Sequence, residues 1–268
     1  MQNIFLLFAR YGTHIVFVVV EIFCLYLIVN FNATQRSTFI NSANHYANWF
    51  DKKSSDWNYY MNLQEINDSL SNHNSDLLEK FINFQAPLPN LDSTYQYELI
   101  PARVVSNTYT LRNNHLTINK GLKDGIKKDM GVISTSGLVG IVRDVSENYA
   151  HIISLLNSQT RISATVKNYA YPGNLVWKEL DTDIMTLEAI PKHVNISIGD
   201  TVITNGFSTI FPPNLEIGTI KSFNIGKGSS DYNIKVHLFN NIPNTAYVYV
   251  INNRLAAEQL DLQNIADE

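Results

Sequence analysis

At 268 residues the chain has room for one large domain or two small ones, at ~150 residues per domain. Its 45% hydrophobic and 11% aromatic content exclude a disordered chain, and 20 basic against 24 acidic residues, a net charge of −4, leave no basic surface for nucleic acid. The charged fraction of 16% falls below the ~25% of an average protein, and the deficit is concentrated in the first thirty-one residues, which points at a membrane. Cys24 is the only cysteine, so an intrachain disulfide and a multi-cysteine metal site are both excluded.

Ile15 to Phe31 is a run of seventeen mostly apolar residues, about 25 Å as a helix. With Tyr11 to His14 it can just cross a bilayer. Phe31-Asn32-Ala33 puts a phenylalanine at the −3 position where a signal-peptide cleavage site wants a small residue, so residues 1–33 are expected to be a cytoplasmic lead-in, with Ile4 to Phe8 lying at the interface, and an uncleaved anchor. Glu21 lies inside that run, where an ionised side chain costs roughly 2.5–3.5 kcal/mol. Either it contacts another membrane subunit, or it is protonated or reaches the interface. Arg10 and Arg36 flank the run evenly and give only a weak vote on orientation.

Between Thr34 and Ala86 there is no Gly or Pro, which permits one long helical stalk over 34–86. Leu63, Asn67, Leu70, Asn74, Leu77, Phe81 and Phe84 follow at alternating spacings of four and three. That is a heptad seam of about three repeats, with Asn67 and Asn74 at a positions. A buried Asn there costs stability but specifies register and two parallel strands, so a homodimeric coiled coil is expected. The plainer reading is an amphipathic helix packed on its own domain.

Ala86-Pro-Leu-Pro-Asn90 ends the helix, and from Glu98 the pattern turns to period two. Ile162, Ala164 and Val166 alternate with Ser163, Thr165 and Lys167, and Ile234, Val236 and Leu238 with Lys235, His237 and Phe239. Further strand runs are 99–105, 115–119, 131–145, 151–156, 184–190, 201–204, 218–225 and 246–251, with turns at Lys123-Asp-Gly125, Pro172-Gly173, Gly199-Asp200, Asn205-Gly206 and Pro212-Pro-Asn214. Short strands without intervening helices imply a mainly β fold of two small antiparallel barrels of the six-stranded type. The division expected is 98–160 and 161–252, with strands open to being shared, then a tail at 253–268.

A tethered two-barrel protein invites comparison with a serine protease. His115, His151, His193 and His237 are candidate bases, but Ser136 and Ser208 lack the Gly-Asp-Ser-Gly setting of an oxyanion hole, and Asp144 and Asp200 sit at strand ends or turns. Neither a His-x-x-x-His pair, nor a calcium loop, nor a Gly-rich phosphate loop is present. No catalytic, cofactor or metal residue is therefore assigned, and a scaffold is expected rather than an enzyme. For a binding surface the candidates are Phe207, Ile210 and Phe211 with Tyr169, Tyr171 and Trp177, since aromatic residues carry many interfaces. Each could equally be barrel core.

The colinear strings Ile100-Pro-Ala-Arg-Val-Val105, Leu116-Thr-Ile-Asn-Lys-Gly-Leu-Lys-Asp-Gly125, Met130-Gly-Val132, Gly137-Leu-Val-Gly-Ile-Val142, Gly199-Asp-Thr-Val-Ile-Thr-Asn-Gly206 and Phe211-Pro-Pro-Asn-Leu-Glu-Ile-Gly218 resemble those of the rod shape-determining protein MreC family. Leu63-x-x-x-Asn67-x-x-Leu70 fits as well, while Asn205 stands where a serine is common and the Gly226-Lys-Gly228 loop is short. The resemblance implies a single-pass inner-membrane scaffold of the cell-elongation machinery, N-terminus cytoplasmic and barrels periplasmic. It implies self-association as a homodimer, with the class B penicillin-binding transpeptidase and the membrane protein MreD as partners and the MreB cytoskeleton as an indirect one. The barrels would activate the transpeptidase by favouring its open state. The rival is a periplasmic adaptor of an export pump, which needs a helical hairpin within a lipoyl-like domain; no helical period returns between residues 98 and 252.

Overall fold

The computed structural model describes residues 2–31, 62–84, 95–169, 171–178, 181–226 and 228–266. The chain divides into two compact units, Met1–Asn67 and Asp68–Glu268.

In the first unit, helix α1 (Gln2–Phe31) runs without a break, so Ile4 to Phe8 and the apolar run share one helix. Val16, Phe17, Val19, Ile22, Phe23 and Tyr26 are each 59–66% exposed, and Glu21 is exposed among them. Among the described residues no helix is long and apolar enough to cross a membrane. Residues 32–61 of the expected stalk lie outside the described residues. Helix α2 is described over residues 62–84.

The second unit is built on β1 (Tyr97–Asn107), β2 (Asn113–Ile118), β3 (Gly131–Ser134), β4 (Gly137–Val145), β5 (Ala150–Asn157), β6 (Arg161–Val166), β7 (Gly173–Val176), β8 (Ile184–Pro191), β9 (Thr201–Thr204), β10 (Glu216–Ile225), β11 (Asp231–Leu238) and β12 (Tyr247–Asn253). Two closed antiparallel barrels of six strands result, in the orders β1-β12-β3-β4-β5-β2 and β10-β11-β8-β7-β6-β9. The contiguous division at residue 160 is therefore corrected: β12 closes the first barrel against β1 and β3, and the second barrel is an insertion between β5 and β12. Alternation marks a strand but carries no address for its partner, which is why the sequence could not place β12.

The expected run 131–145 is a hairpin, β3 and β4, turning at Thr135-Ser136. β7 begins at Gly173, where only a turn was expected; a Cβ at that position would lie 2.5 Å from the Glu188 carbonyl oxygen, so the close strand pairing with β8 itself demands glycine. The tail forms helix α3 (Ala256–Ala266).

Two cores follow from strand parity. Leu116, Ile118, Val132, Val142, Ile152, Val248 and Val250 fill the first barrel. Their neighbours Ile133, Leu138, Tyr249 and Ile251 point the other way and join the interior of the second barrel, with Leu175, Leu187, Ile234 and Val236, in one cluster. Strands β3 and β12 are thus buried on both faces, which is why Tyr247-Val-Tyr-Val-Ile251 reads as an apolar run. Each such side chain contributes about 1.5–3 kcal/mol through burial.

Candidate functional site

Within the second unit, α2 is docked along β1 by side chains four residues apart. Ser75 Oγ donates to the Leu99 carbonyl at 3.1 Å, Glu79 Oε2 accepts the Leu99 N–H at 3.0 Å, and Asn83 takes both the N–H and the carbonyl of Tyr97. From Glu79 to Asn83 the spacing matches the step from Leu99 to Tyr97, because four helical residues rise about 6.0 Å and two strand residues about 6.6–6.8 Å. β1 pairs with β12 throughout this stretch but meets β2 only from Val104 onward, so Tyr97 and Leu99 would otherwise present a bare strand edge. Pro101, next along that edge, has no N–H to leave unpaired. Sequence inspection passed over Ser75, Glu79 and Asn83, whose only signal was their fourfold spacing.

Ser71, Ser75 and Ile82 are buried on this docked face and Leu78 half-buried. The expected dimer seam is a different stripe, about one residue or 100° around the helix. Leu70, Leu77 and Phe81 are 52–56% exposed and Phe84 84% exposed. Asn67 and Asn74 are exposed on the same stripe and Leu63 is half-buried. Packing on its own domain and an uncovered apolar stripe are thus both true of one helix.

Beside that stripe lies a groove of about 660 Å³, lined by Leu78, Phe81 and Ile82 of α2, the β3–β4 turn, and Leu215 and Phe239. Lys167 and Glu216 stand at its polar side, joined at 3.2 Å. A second cavity of about 180 Å³ sits where Ile141 of the first barrel meets Arg161, Ser163 and the 205–211 loop of the second.

The aromatic candidates do not form one surface. Trp177 and Phe211 are buried, 3% and 4% exposed, and are corrected to core. The Trp177 indole N–H donates to the Asp181 carbonyl at 2.8 Å, and the Phe211 ring packs over Gly131, where a Cβ would come within 2.7 Å of it. Ile210 and Tyr169 are half-buried against the same core, with the Tyr169 hydroxyl donating to the Asn195 carbonyl. Phe207 and Tyr171 are exposed, Tyr171 edge-on to His193.

The titratable groups have structural duties. Asp124 accepts from Lys120 Nζ at 2.7 Å and from the Gly121 N–H at 3.0 Å, and the Lys120 hydrogen bond is the main reason its carboxyl is held below the usual range. Asp200 accepts the Ser197 N–H, and Ser208 Oγ accepts the Ile210 N–H. His115 and His151 lie with ring centroids 4.8 Å apart, tilted by 49°, on adjacent strands β2 and β5, and Asp144 faces His151 across the β4–β5 ladder while bound to Lys128 at 3.1 Å. Burial first, and His115 second, hold the His151 imidazole below its ordinary value. Among the described residues no group of three or more His, Cys, Asp or Glu side chains could hold a metal ion.

Comparison with known proteins places this architecture. The family description "Rod shape-determining protein MreC, barrel core" matches residues 104–252, the stretch that contains all of β2 to β11. The cell shape-determining protein MreC of Listeria monocytogenes is 32% identical over 157 residues, covering 57% of this chain and 53% of that protein. The chain spans about half the length of the curated relatives it matches. Among solved structures, MreC of Listeria monocytogenes is similar with a TM-score of 0.57 at 26% identity, over 73% of this chain and 94% of the other. MreC of Pseudomonas aeruginosa shares the fold with a TM-score of 0.54 at 19% identity, over 58% and 99% respectively. Because that description covers more than half of its residues, the chain belongs to the MreC family of cell shape-determining proteins.

Proposed function

We propose that this protein is a non-enzymatic, membrane-anchored scaffold of the cell-elongation machinery that works as a parallel homodimer and binds and activates the class B penicillin-binding transpeptidase. MreD is its membrane partner and MreB its indirect one. It sits in the inner membrane with α1 as a single anchor, N-terminus cytoplasmic and barrels periplasmic. Support for the anchor is chemical: the run of large apolar side chains exposed between Ile15 and Leu27 of α1 needs hydrocarbon or protein about it. Glu21 in that helix is the contact for a membrane subunit.

The observation that carries the reading is the stripe of Leu70, Leu77, Phe81 and Phe84, left uncovered on a helix whose neighbouring face is fixed to its own barrel. A second copy in register covers it and places Asn67 and Asn74 opposite their twins. Phe207 and Tyr171, the exposed members of the aromatic set, are the partner-facing residues, since Trp177 and Phe211 are spent on the core.

The test is sedimentation of the full chain in detergent, carrying Leu70→Lys and Leu77→Lys. The double variant is expected at monomer mass, with reduced co-purification of the transpeptidase. An unchanged dimer mass overturns the stalk, and a transpeptidase that never co-purifies with the unaltered protein overturns the scaffold role.

A further inference from the structure

We propose that the small cavity between the barrels is a binding site for a carboxylate carried by a peptide, with Arg161 as its charged anchor. The cavity, about 180 Å³, is smaller than the ~300–1,000 Å³ of sites for drug-sized molecules, so it takes one side chain or a chain end. Arg161 opens β6 and Ser163 follows on the same outward face, while Ile162 between them points into the barrel. Pairing of Ser163 with Asn174 on β7, and the exit of the chain from β9 at Asn205, add two amide side chains beside them.

The hydrogen-bond roles sort the ligand by charge. Ser163 Oγ accepts from Asn205 Nδ2 at 2.7 Å and Ser208 Oγ accepts the Ile210 N–H at 3.2 Å, so both hydroxyl protons remain free to donate. Asn205 Oδ1 already accepts the Phe207 N–H at 3.1 Å, and Thr204 Oγ1 both donates to the Pro212 carbonyl and accepts the Leu215 N–H. What the cavity has left is a guanidinium, two hydroxyl donors and amide N–H groups, with the Asn174 Oδ1 as an unused amide acceptor among them. No Asp or Glu lines it, and among the described residues Arg161 has no carboxylate partner. That set is complementary to a carboxylate, which a guanidinium binds in a two-pronged, charge-assisted pair.

A peptide rather than a bare ion is indicated by the walls. Ile141 and Ile210 line the cavity, and Phe207, 68% exposed, stands on the loop at its rim, so an apolar side chain beside the carboxylate finds a place. The inference adds a ligand chemistry to the scaffold reading and is tested without the transpeptidase, so the two fail separately.

The experiment is a titration of the full chain, 15N-labelled in detergent, followed by the backbone amide signals of Ser163, Gly206 and Phe207 at constant ionic strength. The probes are N-acetyl-leucine, its amide N-acetyl-leucinamide, and inorganic phosphate. N-acetyl-leucine is expected to shift those signals saturably and N-acetyl-leucinamide not to. Arg161→Gln is expected to weaken the binding about tenfold or more, with Arg161→Lys intermediate. Arg161 is exposed, so both variants keep the barrels, which the remaining amide signals report. Absence of saturable shifts, binding indifferent to Arg161→Gln, or phosphate binding as tightly as N-acetyl-leucine each overturns the proposal.

Discussion

Asn83 holds Tyr97 by both ends of its amide: Nδ2 donates to the Tyr97 carbonyl at 2.8 Å and Oδ1 accepts the Tyr97 N–H at 3.0 Å. A side chain on a helix thereby replaces the strand that the edge of β1 lacks, and with Glu79 and Ser75 it fixes the rotation of α2 against the first barrel. Rotation decides which stripe faces outward, so these three residues set the direction of the exposed Leu70, Leu77, Phe81 and Phe84 stripe. Asn83→Ala is expected to cost about 1–3 kcal/mol, because a backbone donor and acceptor lose their partners together. Urea unfolding measures the loss, and hydrogen exchange should rise first at the Tyr97 and Leu99 amides. Protection unchanged at both would mean that packing of Ile82 alone holds the helix.

The seam gives an opposite kind of prediction. In the proposed dimer Asn74 falls at an a position and costs stability, so Asn74→Leu is expected to raise the melting temperature while loosening the choice of register and copy number. Sedimentation of the full chain then shows species above dimer mass, and cysteine crosslinking along α2 shows more than one register. A variant that gains no stability and stays strictly dimeric would place Asn74 outside the interface.

The strands were legible because period two is written residue by residue, and β9 at Thr201–Thr204 was found to its ends. Closure was not, since the pairing of Tyr249 with Ile133 joins residues more than a hundred positions apart and depends on the second barrel folding between them. Aromatic composition also misled at Trp177 and Phe211, where the same apolar surface that suits a partner suits the core. The apolar stripe on α2, which the structure leaves exposed, was visible as spacing, whereas the Ser75, Glu79 and Asn83 row was not, because polar residues on a helix signal solvent until the strand edge they satisfy is known.

Gly140 and Gly218 occupy corresponding close approaches in the two barrels. A Cβ on Gly140 would lie 2.1 Å from the Ile153 carbonyl oxygen, and one on Gly218 2.1 Å from that of His237. Both obstacles are backbone of a paired strand and cannot swing aside. Gly140→Ala and Gly218→Ala are each expected to cost more than about 3 kcal/mol, seen as loss of soluble folded protein or a steep fall in urea midpoint. Gly199 has open space where its Cβ would go but a φ of +93°, so Gly199→Ala is expected to cost only about 1–2 kcal/mol of backbone strain.

The two barrels are tied by Asn240, whose Nδ2 donates to the Leu138 carbonyl at 2.9 Å in a buried position. Asn240→Leu removes the donor, leaves that carbonyl dry and inserts branched bulk near Gly137, whose Cβ position is 3.7 Å from Asn240 Cβ. A loss of about 1–3 kcal/mol is expected. Unfolding of the two barrels, coincident in the unaltered chain, should split into two transitions in Asn240→Leu if this contact couples them, which hydrogen exchange followed separately at the amides of each barrel can resolve.

Acidification should weaken the first barrel through His151. Burial, and the His115 ring 4.8 Å away, hold its imidazole below the ordinary 6.5, while the Asp144 carboxylate opposes them weakly. The unfolded chain therefore takes up a proton at a higher pH than the folded one. Stability is full above pH 6.5, falls as the pH drops through that value, and levels off once the folded imidazole is protonated as well. Asp144 stays ionised across this window, because its hydrogen bond to Lys128 holds its own carboxyl lower still than usual. Urea midpoints between pH 7.5 and 5.5 are expected to decline in the unaltered protein, and to decline less in His151→Gln, which has no proton to take up. Equal slopes for the two proteins would assign the pH dependence to another group.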